Sequence, residues 1–172
     1  MNLDQVRKKL REAQFFFSKM QDEERERFGP EEPFEFYLSA FLSAAKAVAE
    51  VLIFTEKSSS WYKTWRDNLG TDKKFIKCME NKRDAEVHRK GAGQQAKIGQ
   101  KELQNTHLDQ STTSFVLIGA PHGVPLGTYD IKEYYFTIDG SEQSASAACA
   151  KYLASRVRMV TEFETDHPAA AG

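Results

Sequence analysis

Residues 34–57 read FEFYLSAFLSAAKAVAEVLIFTEK and have the spacing of an α-helix that is apolar nearly all round. Only Glu35, Lys46 and Glu50 carry a charge before its end. Because a helix without a broad polar face must be covered by other elements, the segment predicts a central, largely buried helix. Its predicted inner residues recur at three- and four-residue steps: Phe34, Leu38, Phe41, Leu42, Ala45, Val48, Ala49 and Leu52.

A second stripe of the same segment consists of small residues, which are Ser39, Ala40, Ser43, Ala44 and Ala47. Small side chains let a neighbouring helix approach closely. The neighbour is either another helix of the same chain or a helix of a second copy, and the sequence leaves both open.

Three further helices are predicted within residues 1–91, at residues 3–28, 58–70 and 71–91. In the short helix at residues 58–70, the serines at residues 58–60 are predicted N-caps and Gly70 is the predicted end. We interpret its aromatic residues as core anchors, since aromatic side chains bury large areas, with a base-stacking platform as the alternative: Trp61, Tyr62 and Trp65. The apolar repeat of the first helix comprises Leu3, Val6, Leu10, Ala13, Phe17 and Met20.

The composition changes after Gly91. Residues 92–113 are polar and interrupted by glycines, which predicts a mobile or irregular connection. The runs SFVLIGA (114–120) and EYYFTI (133–138) predict two strands, separated by the proline- and glycine-containing run PHGVPLGTYD. Residues 142–164 predict a last amphipathic helix, whose expected inner stripe is Ala147, Ala150, Leu153, Val157 and Val160.

The predicted fold class is therefore mainly α, a helical bundle with a small β hairpin or sheet inserted before the C-terminal helix. The 172 residues fit a single domain with core helices at 1–91, a polar loop and short strands at 92–138, and the last helix at 142–164.

Charge and cysteine content restrict the function. The net charge of -1 argues against a general nucleic-acid coat protein, so any RNA contact must be a local patch. Cys78 and Cys149 have no metal-ligand or disulfide spacing, which indicates a reducing compartment. The N-terminus has no apolar signal segment, and no apolar run approaches the roughly 18 residues of a membrane span. We expect a cytoplasmic protein with no membrane contact, no metal and no cofactor.

The stretch ENKRDAEVHRKG, residues 80–91, is highly charged and precedes the glycine break. Asp84 and His88 are one helical turn apart, so the carboxylate can orient the imidazole for proton transfer. Arg83 lies about 140° around an ideal helix from His88, so the two do not converge on one atom of a ligand. Either the helix ends between them or a second copy completes the site. The alternative is a solvated helix end, with Arg83 paired to Glu80 or Glu86.

The run RDAEVH resembles the Arg-polar-x-x-x-His signature of the HEPN superfamily. The preceding helix FEFYLSAFLSAAKAVAEVL and the tryptophan-containing segment after it are also similar to bacterial members, so the resemblance covers residues 3–91. It implies a helical bundle that forms a homodimer, with the motifs of two chains facing one cleft that cuts RNA without metal. Asp84 departs from the family, which most often has asparagine there.

Carried to this chain, the resemblance gives each candidate catalytic residue a role. Arg83 would stabilise charge on the phosphate, His88 would assist proton transfer, and Asp84 would lie beside the arginine. The resemblance predicts a metal-independent endoribonuclease, as a toxin or defence component with an antitoxin or other protein partner. The alternative is a non-catalytic HEPN-like scaffold that binds a nucleotide or a protein through the same cleft.

Overall fold

The computed structural model describes residues 3–25, 32–54, 56–85, 94–104 and 125–168. The predicted fold class is confirmed, because helices dominate and a small sheet precedes the last helix. In chain order the elements are α1 (Asp4–Arg25), α2 (Glu32–Leu52), α3 (Glu56–Asp67), α4 (Asp72–Ala85), β1 (Gln94–Gln104), β2 (Pro125–Ile138), β3 (Ser141–Ser144) and α5 (Ala145–Asp166).

Helix α2 is the centre of the bundle, as its sequence predicts, but it ends at Leu52, earlier than the predicted end at residue 57. All eight of its predicted inner residues are buried, and it packs against α1, α4 and α5. The apolar repeat of α1 faces α2, with Leu10 and Phe17 partly buried and the other four residues fully covered. Burial of these apolar side chains is the main force that holds the bundle together.

The aromatic residues of α3 are core anchors, as predicted. Tyr62 and Trp65 are buried, and Trp61 packs against the core with its ring nearly perpendicular to that of Phe163. The predicted serine caps are wrong, because α3 already begins at Glu56 and Ser58 is a buried residue inside it. Gly70 follows the end of the helix with a φ of 56°, a left-handed conformation that glycine adopts without strain.

The sheet is antiparallel in the order β1-β2-β3. Asp139 and Gly140 form the two-residue turn between β2 and β3, both with positive φ, as a tight hairpin requires. The end of β2 packs on the bundle, because Phe136 is fully buried and the ring of Tyr134 stacks on Phe34 with centroids 3.7 Å apart. The chain then enters α5 directly, where Ser144 accepts a hydrogen bond from the Ala147 backbone N–H.

The predicted irregular connection at residues 92–113 is wrong for Gln94–Gln104, which form strand β1. This strand is paired along its length with β2, whose residues lie far along the sequence. Glycine and glutamine lower the local strand signal, so only the distant pairing reveals the strand. Strand β2 also begins earlier than predicted, at Pro125, whereas the predicted strand at 114–120 lies outside the described residues.

The predicted inner face of α5 is mostly wrong. Ala147, Ala150 and Val157 are exposed, and of the predicted stripe only Val160 is buried. The side chain of Arg156 is instead fully buried, so a charged residue occupies the centre of the inner face. The residues that face the core are Ala145, Ala148, Cys149, Tyr152, Arg156, Met159, Val160 and Phe163.

Candidate functional site

Arg83 and Asp84 lie together in the last turn of α4, where Lys46 of α2 joins them. Lys46 Nζ donates a hydrogen bond of 2.6 Å to Asp84 Oδ1, and Arg83 Nη1 donates one of 3.1 Å to the same oxygen. We call these three residues the cation–carboxylate cluster. Because α2 is the buried centre of the bundle, Lys46 is held in place by a rigid element. Two cations from two helices therefore converge on one carboxylate.

The cluster is partly open to solvent. The side chains of Lys46 and Arg83 are 21 % and 26 % exposed, and that of Asp84 is 46 % exposed. The Nε atom of Arg83 is buried and has no hydrogen-bond partner among the described residues. Arginine presents five N–H groups in a fixed fork, so the guanidinium retains donor capacity beyond its contact with Asp84.

The pKa of Asp84 lies below its ordinary value. Its first cause is the hydrogen bond from Lys46, and the hydrogen bond from Arg83 adds to it. The stability that the Asp84 carboxylate gains from Lys46 and Arg83 is fully present above the ordinary aspartate pKa. It is lost as the pH falls through the lowered pKa of Asp84. The contribution is small because the carboxylate is nearly half exposed.

Replacing Lys46 with methionine is expected to raise the pKa of Asp84 toward the ordinary aspartate value, because the largest stabilising contact of the carboxylate is removed. NMR of the Asp84 side-chain carboxyl carbon during an acid titration measures the shift. Arg83→Met is the matched variant and should raise the pKa less, since its hydrogen bond contributes less. An unchanged Asp84 pKa in Lys46→Met would contradict the hydrogen bond between Lys46 and Asp84.

The other candidate catalytic residue, His88, lies outside the described residues, as do Glu86, Arg89 and Lys90. The structure thus brings together Arg83 and Asp84 and adds Lys46, while the Asp84–His88 interaction stays a prediction. The alternative pairing of Arg83 with Glu80 is wrong, because both oxygens of Glu80 are engaged by Arg66 and Arg156.

Glu80 is the centre of a buried polar network that sequence reasoning missed. Arg156 Nη2 donates to Glu80 Oε1 at 2.8 Å and to the Tyr152 hydroxyl at 2.7 Å, while Arg66 Nη2 donates to Glu80 Oε2 at 2.8 Å. Burial raises the pKa of Tyr152 to about 12, so its phenol stays neutral and accepts from the guanidinium. The network joins α3, α4 and α5 one turn before Asp84 and fixes the position of the cluster. The sequence signal of this network is Arg156, which follows Tyr152 by four residues in α5.

Both cysteines are free thiols. Burial raises the pKa of the Cys149 thiol, which keeps it protonated and unreactive, and Cys78 is a free half-buried cysteine. Burial lowers the pKa of Lys82, whose ammonium lies 4.4 Å from the centre of the Phe136 ring. Lys82 therefore helps to attach the sheet to α4.

Within the described ranges, no group of three or more histidine, cysteine, aspartate or glutamate side chains is arranged to hold a metal ion. None of the helices in those ranges is long and apolar enough to cross a membrane. The chain matches no protein-family model, no curated protein and no solved structure.

Proposed function

We propose that the chain is a metal-independent endoribonuclease of HEPN type, with a composite active site in a homodimer. The observation that carries the proposal is the convergence of Lys46 with Arg83, the first residue of the RDAEVH motif, on Asp84. Two neighbouring cations attract a phosphodiester by Coulomb interaction, and an arginine fork matches the geometry of phosphate oxygens. A role as a toxin or defence component, with an antitoxin or other protein partner, follows from the resemblance of the motif.

The proposed reaction is an attack of the ribose 2′-oxygen on the adjacent phosphorus. The 2′-oxygen–phosphorus bond forms, the bond to the 5′-oxygen breaks, and the products are a 2′,3′-cyclic phosphate and a 5′-hydroxyl. Arg83 stabilises the charge that develops on the phosphate oxygens. His88 moves a proton, either from the 2′-hydroxyl or to the leaving 5′-oxygen. Lys46 adds a second positive charge beside Arg83, which favours binding of the anionic substrate.

The second candidate function is a non-catalytic HEPN-like scaffold that binds a nucleotide or a protein through this region. The observation in its favour is that one oxygen of Asp84 accepts hydrogen bonds from both Lys46 and Arg83. A carboxylate there partly neutralises the two cations and repels a phosphate. In the nuclease proposal, a bound phosphate must compete with Asp84 for both side chains.

Asp84→Asn separates the two candidates. We expect this variant to cleave RNA at least as fast as the wild type and to bind it more tightly, because one negative charge beside Lys46 and Arg83 is removed. Cleavage of a labelled RNA and its equilibrium binding are measured in parallel. Glu50→Gln is the matched control, since it also removes a charge near Lys46 but from a longer contact of 3.9 Å, and its effect should be smaller. If neither the wild type nor Asp84→Asn cleaves RNA, the result favours the scaffold function.

A further inference from the structure

Helix α4 carries an excess of positive charge, although the chain as a whole is nearly neutral. The helix has five cations against three carboxylates, whereas the whole chain has a net charge of -1. Its exposed residues before Asp84 are Lys73, Lys74, Lys77 and Asn81. The positive excess is therefore local and faces solvent, which is the pattern that a near-neutral protein needs in order to bind a nucleic acid.

Two of these lysines, Lys74 and Lys77, have charges that nothing in the described part of the chain neutralises. Both are exposed, and neither forms an ion pair or a hydrogen bond with a described residue. Apart from Asp84, the carboxylates of α4 are Asp72 and Glu80, and both are engaged by cations of α3 or α5. We call Lys74 and Lys77 the lysine row.

The lysine row lies in line with the cation–carboxylate cluster. Lys77 precedes Asp84 by seven residues, which is about 20° short of two full turns, so both lie on the same side of α4. Lys74 lies about 60° from Lys77 around the helix. At about 1.5 Å per residue, Lys77 and Lys74 are about 10 Å and 15 Å along the helix axis from Asp84. The row therefore extends the positive charge of Lys46 and Arg83 along one helix.

We propose that the lysine row binds RNA phosphates on one side of the scissile phosphate, so that the substrate backbone runs along α4 toward its N-terminus. This inference rests on the proposed ribonuclease and extends its site to the adjoining nucleotides. A row of cations suits a strand with one charge per nucleotide, because each lysine neutralises a phosphate and releases condensed counterions. Asn81 lies between Lys77 and Asp84 on the same face, where its amide can donate to a phosphate or a ribose oxygen.

An acidic protein segment is the competing occupant, because its carboxylates are also attracted by lysine. The observation that favours RNA is that the row continues to Arg83, whose planar fork matches the geometry of phosphate oxygens. Contacts to phosphates carry no sequence information. The contribution of the lysine row to binding should therefore be independent of the base sequence.

The salt dependence of binding tests the lysine row. The probe is a labelled 2′-O-methyl RNA, which cannot be cleaved because its 2′-oxygen is blocked. Lys77→Met and Lys74→Met should each weaken binding. Each should also make the slope of the log association constant against log salt concentration less steep by about 0.7, the value for one phosphate contact on a single strand. The double variant should lose about 1.4, because the two lysines bind different phosphates.

Two matched controls also replace a lysine with methionine. Lys73→Met removes an exposed lysine of α4 that is already held by Asp67 at 2.8 Å, and Lys8→Met removes an exposed lysine from α1. Both should change the slope far less than the variants of the lysine row. Equal slopes in all four single variants would overturn the proposal. Variants of the row that weaken binding of poly-L-glutamate and leave RNA binding unchanged would also overturn it and would assign the face to an acidic protein.

Cleavage kinetics with unmodified RNA separate this inference from the proposed function. Lys77→Met and Lys74→Met should raise KM and leave kcat unchanged, because they bind phosphates that do not react. If the wild type cleaves RNA while both variants keep the wild-type KM and salt slope, the lysine row is overturned and the ribonuclease stands. If the wild type cleaves no RNA but the slopes change as expected, the row stands as a nucleic-acid surface and the ribonuclease is overturned.

Discussion

Replacing Glu80 with alanine is expected to lower the free energy of unfolding by about 3–5 kcal/mol, because Arg156 would keep its charge in the core without a carboxylate. The side chain of Arg156 has no solvent exposure, and that of Glu80 is only 14 % exposed. Arg66 also loses its partner, although it is closer to solvent and contributes less. Urea denaturation followed by circular dichroism measures the change.

Two controls separate this network from an ordinary ion pair. Glu12→Ala breaks the Lys9–Glu12 pair, whose side chains are both 36 % exposed, and should cost less than about 1 kcal/mol. The double variant Glu80→Gln, Arg156→Met removes both buried charges and should recover most of the lost stability. A Glu80→Ala variant as stable as Glu12→Ala would show that the buried network contributes little.

Arg83→Ala and His88→Ala are each expected to reduce RNA cleavage by about 10²–10⁴-fold. Arg83→Ala removes stabilisation of charge in the transition state, and His88→Ala removes proton transfer. For both variants the loss should appear in kcat, measured with labelled RNA at saturating concentration. Arg83→Ala should also raise KM, because it weakens attraction of the phosphate.

The matched controls are Arg11→Ala on the exposed surface of α1 and His167→Ala at the end of α5. Each removes the same type of side chain from a place unrelated to the motif, so cleavage should stay near the wild-type rate. Arg83→Ala should remain folded, because Arg83 lies outside the buried network of Glu80. If Arg83→Ala retained full kcat in a folded protein, Arg83 would have no role in the reaction.

The helices of the bundle could be predicted because their signal is local. The repeats of α1 and α2 place large apolar residues at three- and four-residue steps, and burial follows that spacing. The end of β2 was also predicted, because Tyr134, Phe136 and Ile138 alternate as a strand with one buried face requires.

Two errors arose where distant residues decide the outcome. The prediction of the inner face of α5 is mostly wrong because a pattern of apolar residues excludes an arginine from the core. In the structure, Glu80 of α4 and the Tyr152 hydroxyl accept hydrogen bonds from Arg156 and make its buried position favourable. Strand β1 was missed because its main-chain hydrogen bonds go to β2, and the polar local sequence does not reveal that pairing.

The candidate site was predicted only in part for the same reason. Arg83 and Asp84 are neighbours in the sequence, so their proximity does not depend on the tertiary structure. Lys46 reaches Asp84 across 38 residues of sequence, because α2 packs against α4. Its sequence signal is that Lys46 is the one cation of a mostly apolar helix, which indicates a carboxylate partner but does not identify it.

The most direct test of the proposed ribonuclease is incubation of the purified wild type with a varied panel of single-stranded and structured RNAs in excess EDTA. The account predicts cleavage that persists in EDTA, with fragments that end in a 2′,3′-cyclic phosphate and begin with a 5′-hydroxyl, as identified by mass spectrometry. Arg83→Ala run in parallel excludes a contaminating nuclease, since a contaminant would cut equally in both preparations. A folded, dimeric wild type that leaves every RNA of the panel intact would contradict the account.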